Sequence, residues 1–558
     1  MLLSSAVSVQ GQRAPLAKDV VIAATTDVHG RIRSWDYYAG TPDSTRGLAR
    51  AATIVDSVRA ANPGRVVLVD AGDFLQGNPL TFVAARVQTR VPHPVVAAMN
   101  AMRYDAAAIG NHEFNYGLAL LARAANEAAF PMLSANARAP AGKRPFPASR
   151  IVVREGVHIG IIGATTPGAV IWDQDNLRGR LTLIDIVEAV GAEAARLKHR
   201  GADVVVAVLH SGLGEPSSYD TSGTGVASEN VAARVAREVP GLDAVIFGHS
   251  HKELADSIIG STLLIQPRNW AGSVAVATLT VERDGRHWRV RARHGQIVRT
   301  AGHDESPRVI AATRRQHNAT VAYVSSSLGN TLVAWTADSS RVIDMPIVDF
   351  MLEVMRKRSG ADLAATASFV LGAALDSGSV SVAELSRLYP YDNTLRAIRI
   401  TGRQLRAYVE QSARYFRDAT ADGVAPGTID PSIPGYNFDI VAGADYTLDL
   451  RRPRGSRVTH LAVKGRPVID EDSFTLALNN YRQTGGGGFA MLRDAPVVYD
   501  RQEDLRQLLI DEVRAQRTLD PGKYATKNWR IEPIEAIGTA YRTMHVDRAG
   551  RPPFSNTP

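Results

Sequence analysis

Short apolar runs alternate with longer, Ala-rich amphipathic stretches from about residue 18 to residue 300 of the chain. Apolar runs of about 4–8 residues predict buried strands, and the stretches between them predict helices. The predicted helices are Leu48–Ala61, Tyr116–Ala128 and Ile184–Arg200. Strands and helices that alternate in this way predict a layered α/β domain over residues 18–300.

The end of this domain is predicted by three closing strands, Val274–Val281, Trp288–Ala292 and Gln296–Val298. A stretch rich in Arg and Ala, Pro307–Val321, then predicts a helix. We assign residues 301–335 to this linker helix.

Residues 336–540 resume the alternation and predict a second α/β domain. Gln404–Phe416 has helical spacing, so its aromatic side chains are expected in the core. Phe474–Leu478 predicts a strand that runs into a polar segment and four glycines, Gly485–Gly488. Polyglycine usually forms a flexible loop, but after a strand it also allows the backbone to approach a planar ligand.

The two ends of the chain are predicted to lie outside these domains. Residues 1–17 hold small and apolar residues without a basic start, which predicts a signal-peptide remnant or a disordered segment. A frayed cytosolic terminus is the alternative. Residues 541–558 are polar and contain proline, and we expect a disordered tail. No apolar run of about 18 residues follows the start, so no membrane span is predicted.

Five predicted strands of the first domain end directly before Asp, Asn or His. The runs are Val20–Thr26 before Asp27 and His29, Val66–Val69 before Asp70 and Asp73, Tyr104–Ile109 before Asn111 and His112, Val204–Leu209 before His210, and Ala244–Phe247 before His249 and His251. One such residue is usually a cap or a loop residue, but five strand ends do not fit that explanation. In open α/β sheets this edge binds ligands, and oxygen and imidazole donors suit a hydrolytic metal.

The donor set predicts a site for two divalent cations. Asp73 is the candidate bridge, because a carboxylate has two oxygens. The remaining ligands are assigned to one cation (Asp27, His29 and His251) and to the other (Asn111, His210 and His249). Two cations about 3.5–4 Å apart activate a water and hold the oxygens of a phosphoryl group. His112 would stabilise those oxygens or protonate the leaving group. Mn²⁺, Zn²⁺, Fe, Co²⁺ and Mg²⁺ all suit such ligands, and Asp70 is expected to orient its loop.

Composition narrows these expectations further. The 558 residues are 45% apolar and 22% charged, as in folded globular proteins with more than one domain. The absence of cysteine excludes disulfides, thiolate nucleophiles and iron–sulfur ligation. The net charge of +8 invites a nucleic-acid hypothesis. The arginines are scattered, however, so the charge fits attraction of small phosphorylated anions equally well.

The order and spacing of Asp27-x-His29, Gly72-Asp73, Gly110-Asn111-His112-Glu113, His210 and Gly248-His249-Ser250-His251 resemble the calcineurin-type metallophosphoesterases over residues 18–300. Leu388–Leu395, Tyr436–Asp439 and Asn479–Arg482 resemble the C-terminal domain of the 5′-nucleotidase superfamily. Within it they look most like the bifunctional 2′,3′-cyclic-nucleotide 2′-phosphodiesterase/3′-nucleotidases.

The resemblance implies a fold and a function. The fold is a four-layer β-sandwich flanked by helices and joined by the linker helix to a second α/β domain. The function is hydrolysis of 2′,3′-cyclic nucleotides to 3′-nucleotides and then to nucleosides. It also implies an exported protein, periplasmic or extracellular. We further expect a monomer that acts on a small nucleotide and forms no stable complex with nucleic acid.

For the second domain the resemblance implies a set of substrate-binding residues. Tyr391 and Tyr481 would sandwich the base, Asn393 would help fix the nucleoside, and Arg482, Gly485 and Gly486 belong to the same segment. Stacking on aromatic faces tolerates every base, at about 1–3 kcal/mol each. The alternative for either tyrosine is a partly buried core position.

Two departures from 5′-nucleotidases affect the choice of substrate. Asn115 stands where those enzymes often have the Asp that follows the catalytic His by three positions, so His112 lacks that ionised partner. The cyclic-phosphodiesterase branch has the same Asn. In addition, Ala364–Phe369 replaces a Gly-Gly-Gly-x-Arg segment used around a 5′-phosphate. A 5′-nucleotidase or nucleotide-sugar hydrolase with the same metals is therefore the alternative.

Overall fold

Two six-stranded sheets lie face to face in a computed structural model that describes residues 17–419 and 423–546. The first has the order His287–Arg299, Ser273–Asp284, Ala17–Thr25, Val66–Asp70, Ala106–Ala108 and Met132–Leu133. The second has the order Leu254–Ile259, Thr262–Gln266, Ala244–Phe247, Val204–His210, Val157–Thr165 and Ser149–Arg154. The inner strands of each sheet are parallel, so their carboxyl ends share one edge.

Side-chain alternation explains why the sheets stack. In Ala17–Thr25, Val20 and Ile22 join the apolar core between the sheets, whereas Val21 and Ala23 join the core beneath the helices. A strand buried on both faces has this continuous apolar pattern. The outer faces are covered by helices, chiefly Leu48–Ala61, Pro94–Met102, Leu118–Glu127, Ile186–His199 and Ala232–Glu238. The predicted four-layer arrangement is therefore confirmed.

Two parts of the first half differ from the prediction. The closing strands are two long strands, Ser273–Asp284 and His287–Arg299, because the antiparallel ladder continues through Gly295, which pairs with Ala277. The prediction of a single linker helix is wrong. The structure has two helices, Pro307–Ala312 and Arg314–Val324, separated at Thr313, whose backbone (φ −117°) is not helical.

The second domain begins earlier than predicted, because Ser327–Thr331 already pairs with Gly378–Ser381 and Thr518–Leu519. Its central sheet has the order Asp439–Ala442, Leu363–Ala367, Ser473–Asn479, Thr394–Thr401 and Val497–Asp504, and a four-stranded sheet has the order Arg466–Pro467, Val458–Val463, Ala444–Asp449 and Trp529–Glu532. The helices are Pro346–Ser359, Val382–Leu388, Gly402–Ala413, Leu505–Gln516 and Ile534–Val546.

The predicted terminal segments are only partly within the described residues. Ala17 already belongs to the first strand, and residues 1–16 lie outside the described part of the chain. The helix Ile534–Val546 occupies the start of the expected tail, so disorder from residue 541 is wrong for residues 541–546. Residues 547–558 lie outside the described part. Among the described residues, no helix is both long and apolar enough to cross a membrane.

Candidate metal centre

The strand ends bring the predicted ligands together in two neighbouring groups. Asp27, His29 and His251 each place a donor atom within 4.8 Å of the others, and so do Asp73, His210 and His249. Asn111 joins the second group, because its Oδ1 lies 3.0 Å from Nε2 of His210. These groups match the two ligand sets predicted from the sequence.

Asp73 lies between the two groups. Its Oδ2 is 2.9 Å from Nε2 of His210 and 4.0 Å from Nε2 of His29. Its Oδ1 accepts the backbone N–H of His112 at 2.8 Å. A single carboxylate oxygen, Oδ2, therefore faces both groups, which suits a bridging ligand.

The donor chemistry fits divalent cations. Nε2 of His29 and Nε2 of His251 face each other at 3.2 Å, and Oδ1 of Asp27 is 3.4 Å from Nε2 of His251. Nitrogen lone pairs and carboxylate oxygens that converge in a buried pocket are suited to a cation. The ligands Asp27, His29, His251 and Asp73 could hold one cation, and Asp73, Asn111, His210 and His249 a second.

Burial and neighbouring charges set the protonation of the ligands. Burial lowers the pKa of His29 to about 3, so its ring is neutral, which is the form that binds metal. Burial acts to raise the pKa of Asp27, but a hydrogen bond and positive charge from His251 bring it to about 2. Burial opposes charge on His210, yet the Asp73 carboxylate raises the pKa of His210 to about 10. A cation bound there would displace that proton.

Three ligand histidines are fixed through the ring nitrogen that faces away from the site. Nδ1 of His29 donates to the carbonyl of Gln76 at 3.0 Å, and Nδ1 of His210 donates to the carbonyl of Ala71 at 2.8 Å. Nε2 of His249 donates to Glu229 at 2.7 Å. Such acceptors fix the tautomer and the ring orientation of metal ligands. None of these three acceptors could be predicted from the sequence, because backbone carbonyls and distant loop residues leave no local motif.

The Asp73 loop is held by a buried carboxylate that also was not predicted as functional. Oε1 of Glu113 accepts the backbone N–H groups of Phe74 and Leu75 at 2.7 and 2.9 Å. Its Oε2 accepts those of Asp73 and Gly110 at 2.8 and 2.6 Å. The last residue of the motif Gly110–Glu113 thus holds both the motif and the Asp73 loop in place. Asp70 also orients this loop, as predicted, since its Oδ1 accepts the N–H of Gly72 at 2.8 Å.

Five of the ligand residues have a left-handed backbone, with φ between 46° and 74°: Asp27, His29, Asp73, His249 and His251. This conformation is uncommon outside glycine, and each such residue costs about 1–3 kcal/mol. The sequence does not encode it visibly. Close approach adds a further restriction at Gly110, where a Cβ would lie 2.1 Å from Oδ1 of Asp73.

His112 lies at the edge of the ligand groups, with Nε2 3.9 Å from Oδ2 of Asp73 and 28% of its side chain exposed. Its Nδ1 is 2.6 Å from Oδ1 of Asn115. The Asn115 amide nitrogen in turn donates to both carboxylate oxygens of Asp173, at 2.9 and 3.0 Å. His112 therefore faces the open side of the site and is held from behind.

A cavity of about 970 Å³ connects these residues with the second domain. His29, Asp73, Asn111, His112, His249 and His251 line one end, and Tyr391, Asn393, Tyr436, Tyr481 and Arg482 line the other. Burial and the neighbouring Tyr481 and Tyr391 raise the pKa of Tyr436, so three neutral phenols cluster there. Tyr436 was not predicted as a site residue, although its motif was.

The segment after Tyr481 has a structural role that was not predicted from the sequence. The Arg482 guanidinium is buried and donates to both oxygens of Asp439, at 2.8 and 2.9 Å, and to the carbonyls of Tyr436 and Gly486, at 2.8 and 2.7 Å. Arg482 therefore supports the loops around the cavity that it also lines, and its predicted contact with a substrate stays a prediction. Gly485 and Gly486 are both buried, and a Cβ at Gly486 would be 2.6 Å from Cζ of the Tyr481 ring. The backbone at Gly486 therefore packs closely against that ring.

Asp392, between Tyr391 and Asn393, joins the two domains. Its Oδ2 accepts from Nε2 of Gln76 and from the hydroxyl of Tyr116, both at 2.7 Å. Its Oδ1 accepts from Arg506 at 2.8 Å. This role was missed even though Asp392 lies inside the motif Leu388–Leu395, because the sequence does not show what the second domain contacts.

The segment that replaces Gly-Gly-Gly-x-Arg forms an aromatic wall. Leu363–Ala367 is a buried strand, and the ring of Phe369 meets Tyr391 edge to face at 5.0 Å between ring centroids. Arg341 lies nearby, but its guanidinium donates to the carbonyls of Ser368 and Phe369, at 2.8 and 3.1 Å. The Arg341 guanidinium thus donates to backbone carbonyls of the same segment.

Comparisons with known proteins agree with this architecture. Residues 20–253 match the calcineurin-like phosphoesterase family, and residues 322–494 match the 5′-nucleotidase C-terminal domain family. The chain is 30% identical to the 2′,3′-cyclic-nucleotide 2′-phosphodiesterase/3′-nucleotidase of Haemophilus influenzae, over 98% of this chain and 94% of that protein. It is 29% identical to the trifunctional nucleotide phosphoesterase protein of Bacillus subtilis, over 94% of this chain and 39% of that protein.

A solved structure has the same two-domain fold. The putative 5′-nucleotidase of Staphylococcus aureus, in complex with alpha-ketoglutarate, is 25% identical and superposes with a TM-score of 0.79, covering 92% of this chain and all of that one. The same two-domain family is therefore indicated by the matches of both halves, by the identity to the Haemophilus relative and by the fold. The chain belongs to the family in which a calcineurin-like metallophosphoesterase domain is joined to a 5′-nucleotidase C-terminal domain.

Proposed function

We propose that the protein hydrolyses 2′,3′-cyclic nucleotides to 3′-nucleotides and then hydrolyses 3′-nucleotides to nucleoside and phosphate. The observation that carries the proposal is the shared cavity, which has the two ligand groups at one end and three tyrosines at the other. The name of the Haemophilus relative supports this choice of substrate.

The ligand residues give the site its reactivity. Asp73 and its neighbours would hold two divalent cations, which when bound would lower the pKa of a water and neutralise phosphoryl oxygens. The first reaction adds the hydroxyl of a water to phosphorus and breaks the P–O2′ bond. The second breaks the P–O3′ bond. Both leaving oxygens belong to one ribose, so one base-binding end serves both steps.

His112 is assigned the proton for the leaving oxygen. His112 lines the cavity, and its Nδ1 is held by Oδ1 of Asn115 at 2.6 Å, which leaves Nε2 for the substrate. A general acid must lie within hydrogen-bond reach of the oxygen it protonates, and His112 adjoins the ligand group of Asp73. Tyr391 and Tyr481 are assigned to the base, and Asn393 to the nucleoside.

The aromatic wall favours this function over the 5′-nucleotidase alternative. Phe369 lies in the segment that replaces the Gly-Gly-Gly-x-Arg segment of 5′-nucleotidases, and its ring packs against Tyr391. The guanidinium of Arg341, which lies nearby, donates to a backbone carbonyl. The wall therefore offers an apolar surface to the nucleoside and no cation to a 5′-phosphate.

A side-by-side assay of 2′,3′-cyclic AMP, 3′-AMP and 5′-AMP on Mn²⁺-loaded protein tests the proposal, with Asp73→Ala as the inactive control. We expect turnover of the first two substrates and little of the third. A preference for 5′-AMP would overturn the proposal and favour the alternative. The expected export and monomeric state stay predictions, to be checked by fractionation of the source cells and by light scattering.

A further inference from the structure

Asp173 lies one side chain away from His112 at the border of the cavity, and it is only 6% exposed. Each of its carboxylate oxygens accepts from the Asn115 amide nitrogen, at 2.9 and 3.0 Å. The amide oxygen of Asn115 is 2.6 Å from Nδ1 of His112. Three side chains thus form one chain of hydrogen bonds that ends at the cavity.

We propose that Asp173 is a positioning residue for catalysis: it fixes the orientation of the Asn115 amide and thereby the tautomer and direction of the His112 ring. The inference rests on the proposed role of His112 as proton donor to the leaving oxygen.

Hydrogen-bond chemistry fixes the direction of each bond in this network. An ionised carboxylate only accepts hydrogen bonds, whereas an amide has a donating and an accepting end. Asp173 therefore selects the NH₂ end of Asn115, which leaves the amide oxygen toward His112. That oxygen can only accept, so Nδ1 of His112 carries a proton. Nε2 is then the ring nitrogen that exchanges a proton with the substrate.

The surroundings keep this arrangement rigid. Asn176 donates to the carbonyl of Phe114 at 2.9 Å, so the segment after Asp173 is bonded to the segment before Asn115. Trp172 stacks on His249, with ring centroids 5.7 Å apart and planes at 26°. Two consecutive residues, Trp172 and Asp173, therefore brace a metal ligand and the proton donor, respectively.

The arrangement also explains how the site works without the Asp that 5′-nucleotidases place at position 115. The negative charge is still present, but it is displaced by one side chain and reaches His112 through an amide. Burial raises the pKa of Asp173 to about 6, so the carboxylate is ionised at pH 8. Moving the charge back to position 115 is then a direct test.

The experiment compares Asp173→Asn, Asn115→Asp and the double variant on 2′,3′-cyclic AMP at pH 8. Each single change creates a mismatch: Asp173→Asn sets an amide nitrogen against the Asn115 nitrogen, and Asn115→Asp sets two carboxylates about 3 Å apart. The double variant restores one acceptor for His112 and one donor between the two side chains.

We expect each single variant to lower kcat about 10–100-fold with little change in KM, as for residues that orient an active group. The double variant should recover most of that loss. Full kcat in Asp173→Asn, or losses that simply multiply in the double variant, would overturn the proposal. Because recovery requires the matched pair, a purely structural defect in Asp173→Asn leaves the test decisive.

Two controls separate this inference from the proposed function. Bis(p-nitrophenyl) phosphate has a leaving group that needs no proton, so the single variants should lose less activity on it than on the cyclic nucleotide. The series is also run on 5′-AMP, whose leaving oxygen does need a proton. A wild type that is slow on the cyclic nucleotide but fast on 5′-AMP would defeat the proposed function. In that case, recovery of kcat on 5′-AMP in the double variant would still support the role of Asp173, and no recovery would overturn it. Asp494→Asn, an exposed position, should stay within about twofold of wild type.

Discussion

Replacing Glu113 by Gln should loosen the loop that carries Asp73 even when no metal is bound. The Glu113 side chain is fully buried, and its two oxygens accept four backbone N–H groups at 2.6–2.9 Å. Gln keeps the shape but replaces one oxygen with an NH₂ group. Two of the four N–H groups then lose their acceptor and face another donor.

The size of the effect follows from those bonds. A hydrogen bond to a charged group contributes about 1.5–3 kcal/mol, so losing two costs about 3–6 kcal/mol. Removing a buried charge offsets part of this loss, which leaves a net destabilisation of about 2–4 kcal/mol. That is a large share of the roughly 5–15 kcal/mol by which proteins are stable. Asp73 and Asn111 would lose their alignment, so metal affinity should fall as well.

Two measurements check this reasoning: the midpoint of urea unfolding in EDTA, and the metal content per chain after dialysis against Mn²⁺. Glu471→Gln is the matched control, because Glu471 is exposed and should change the free energy of unfolding by less than about 0.5 kcal/mol. The reasoning would be refuted if Glu113→Gln unfolded at the wild-type midpoint and retained two metal ions.

Three further substitutions test other parts of the structure. Asp73→Ala should lose both metal ions and nearly all turnover, because Oδ2 faces both ligand groups; metal analysis showing one retained ion would contradict the bridging role. Tyr391→Ala combined with Tyr481→Ala should raise KM for 2′,3′-cyclic AMP about 30-fold or more, because two stacks of roughly 1–3 kcal/mol each are lost, yet hydrolysis of bis(p-nitrophenyl) phosphate should be unchanged. Equal losses on both substrates would remove the base-binding assignment. Burial and the Asp344 carboxyl raise the pKa of Asp349 to about 7. The stability that Asp349 contributes is therefore present at low pH and is lost as pH rises through 7. The Tm of Asp349→Asn should rise relative to that of the wild type between pH 5 and pH 8, and parallel Tm curves would contradict this.

The ligand positions could be predicted because parallel strands bring their carboxyl ends to one edge, so a residue's place just after an apolar run gives its location in space. Asp27, Asp73 and His210 all follow this rule. The helix Leu48–Ala61 has its predicted bounds for a similar reason, since its apolar spacing matches a buried face.

The supports of the site could not be predicted in this way. Glu229 and Asp173 lie in segments without strand periodicity, and their partners are distant in the chain: His249 for Glu229 and Asn115 for Asp173. The prediction of a single linker helix failed for a local reason. The Thr313 hydroxyl donates to the carbonyl of Val309 at 2.9 Å, and the helix is interrupted there. Such side-chain bonds to the backbone compete with helix continuation, but composition alone does not show where they form.

The loop after Val66–Asp70 connects the candidate metal ligands to the end of the cavity that we propose binds the base. Its Asp73 faces both ligand groups, and its Gln76 carbonyl holds His29. The Gln76 side chain donates to Asp392, the neighbour of Tyr391. A change that shifts this loop should therefore alter kcat and KM together, whereas a change in the tyrosines should alter KM alone. The buried Glu113 carboxylate accepts backbone N–H groups of the same loop, so we expect it to affect both kcat and KM although it is not one of the candidate ligands.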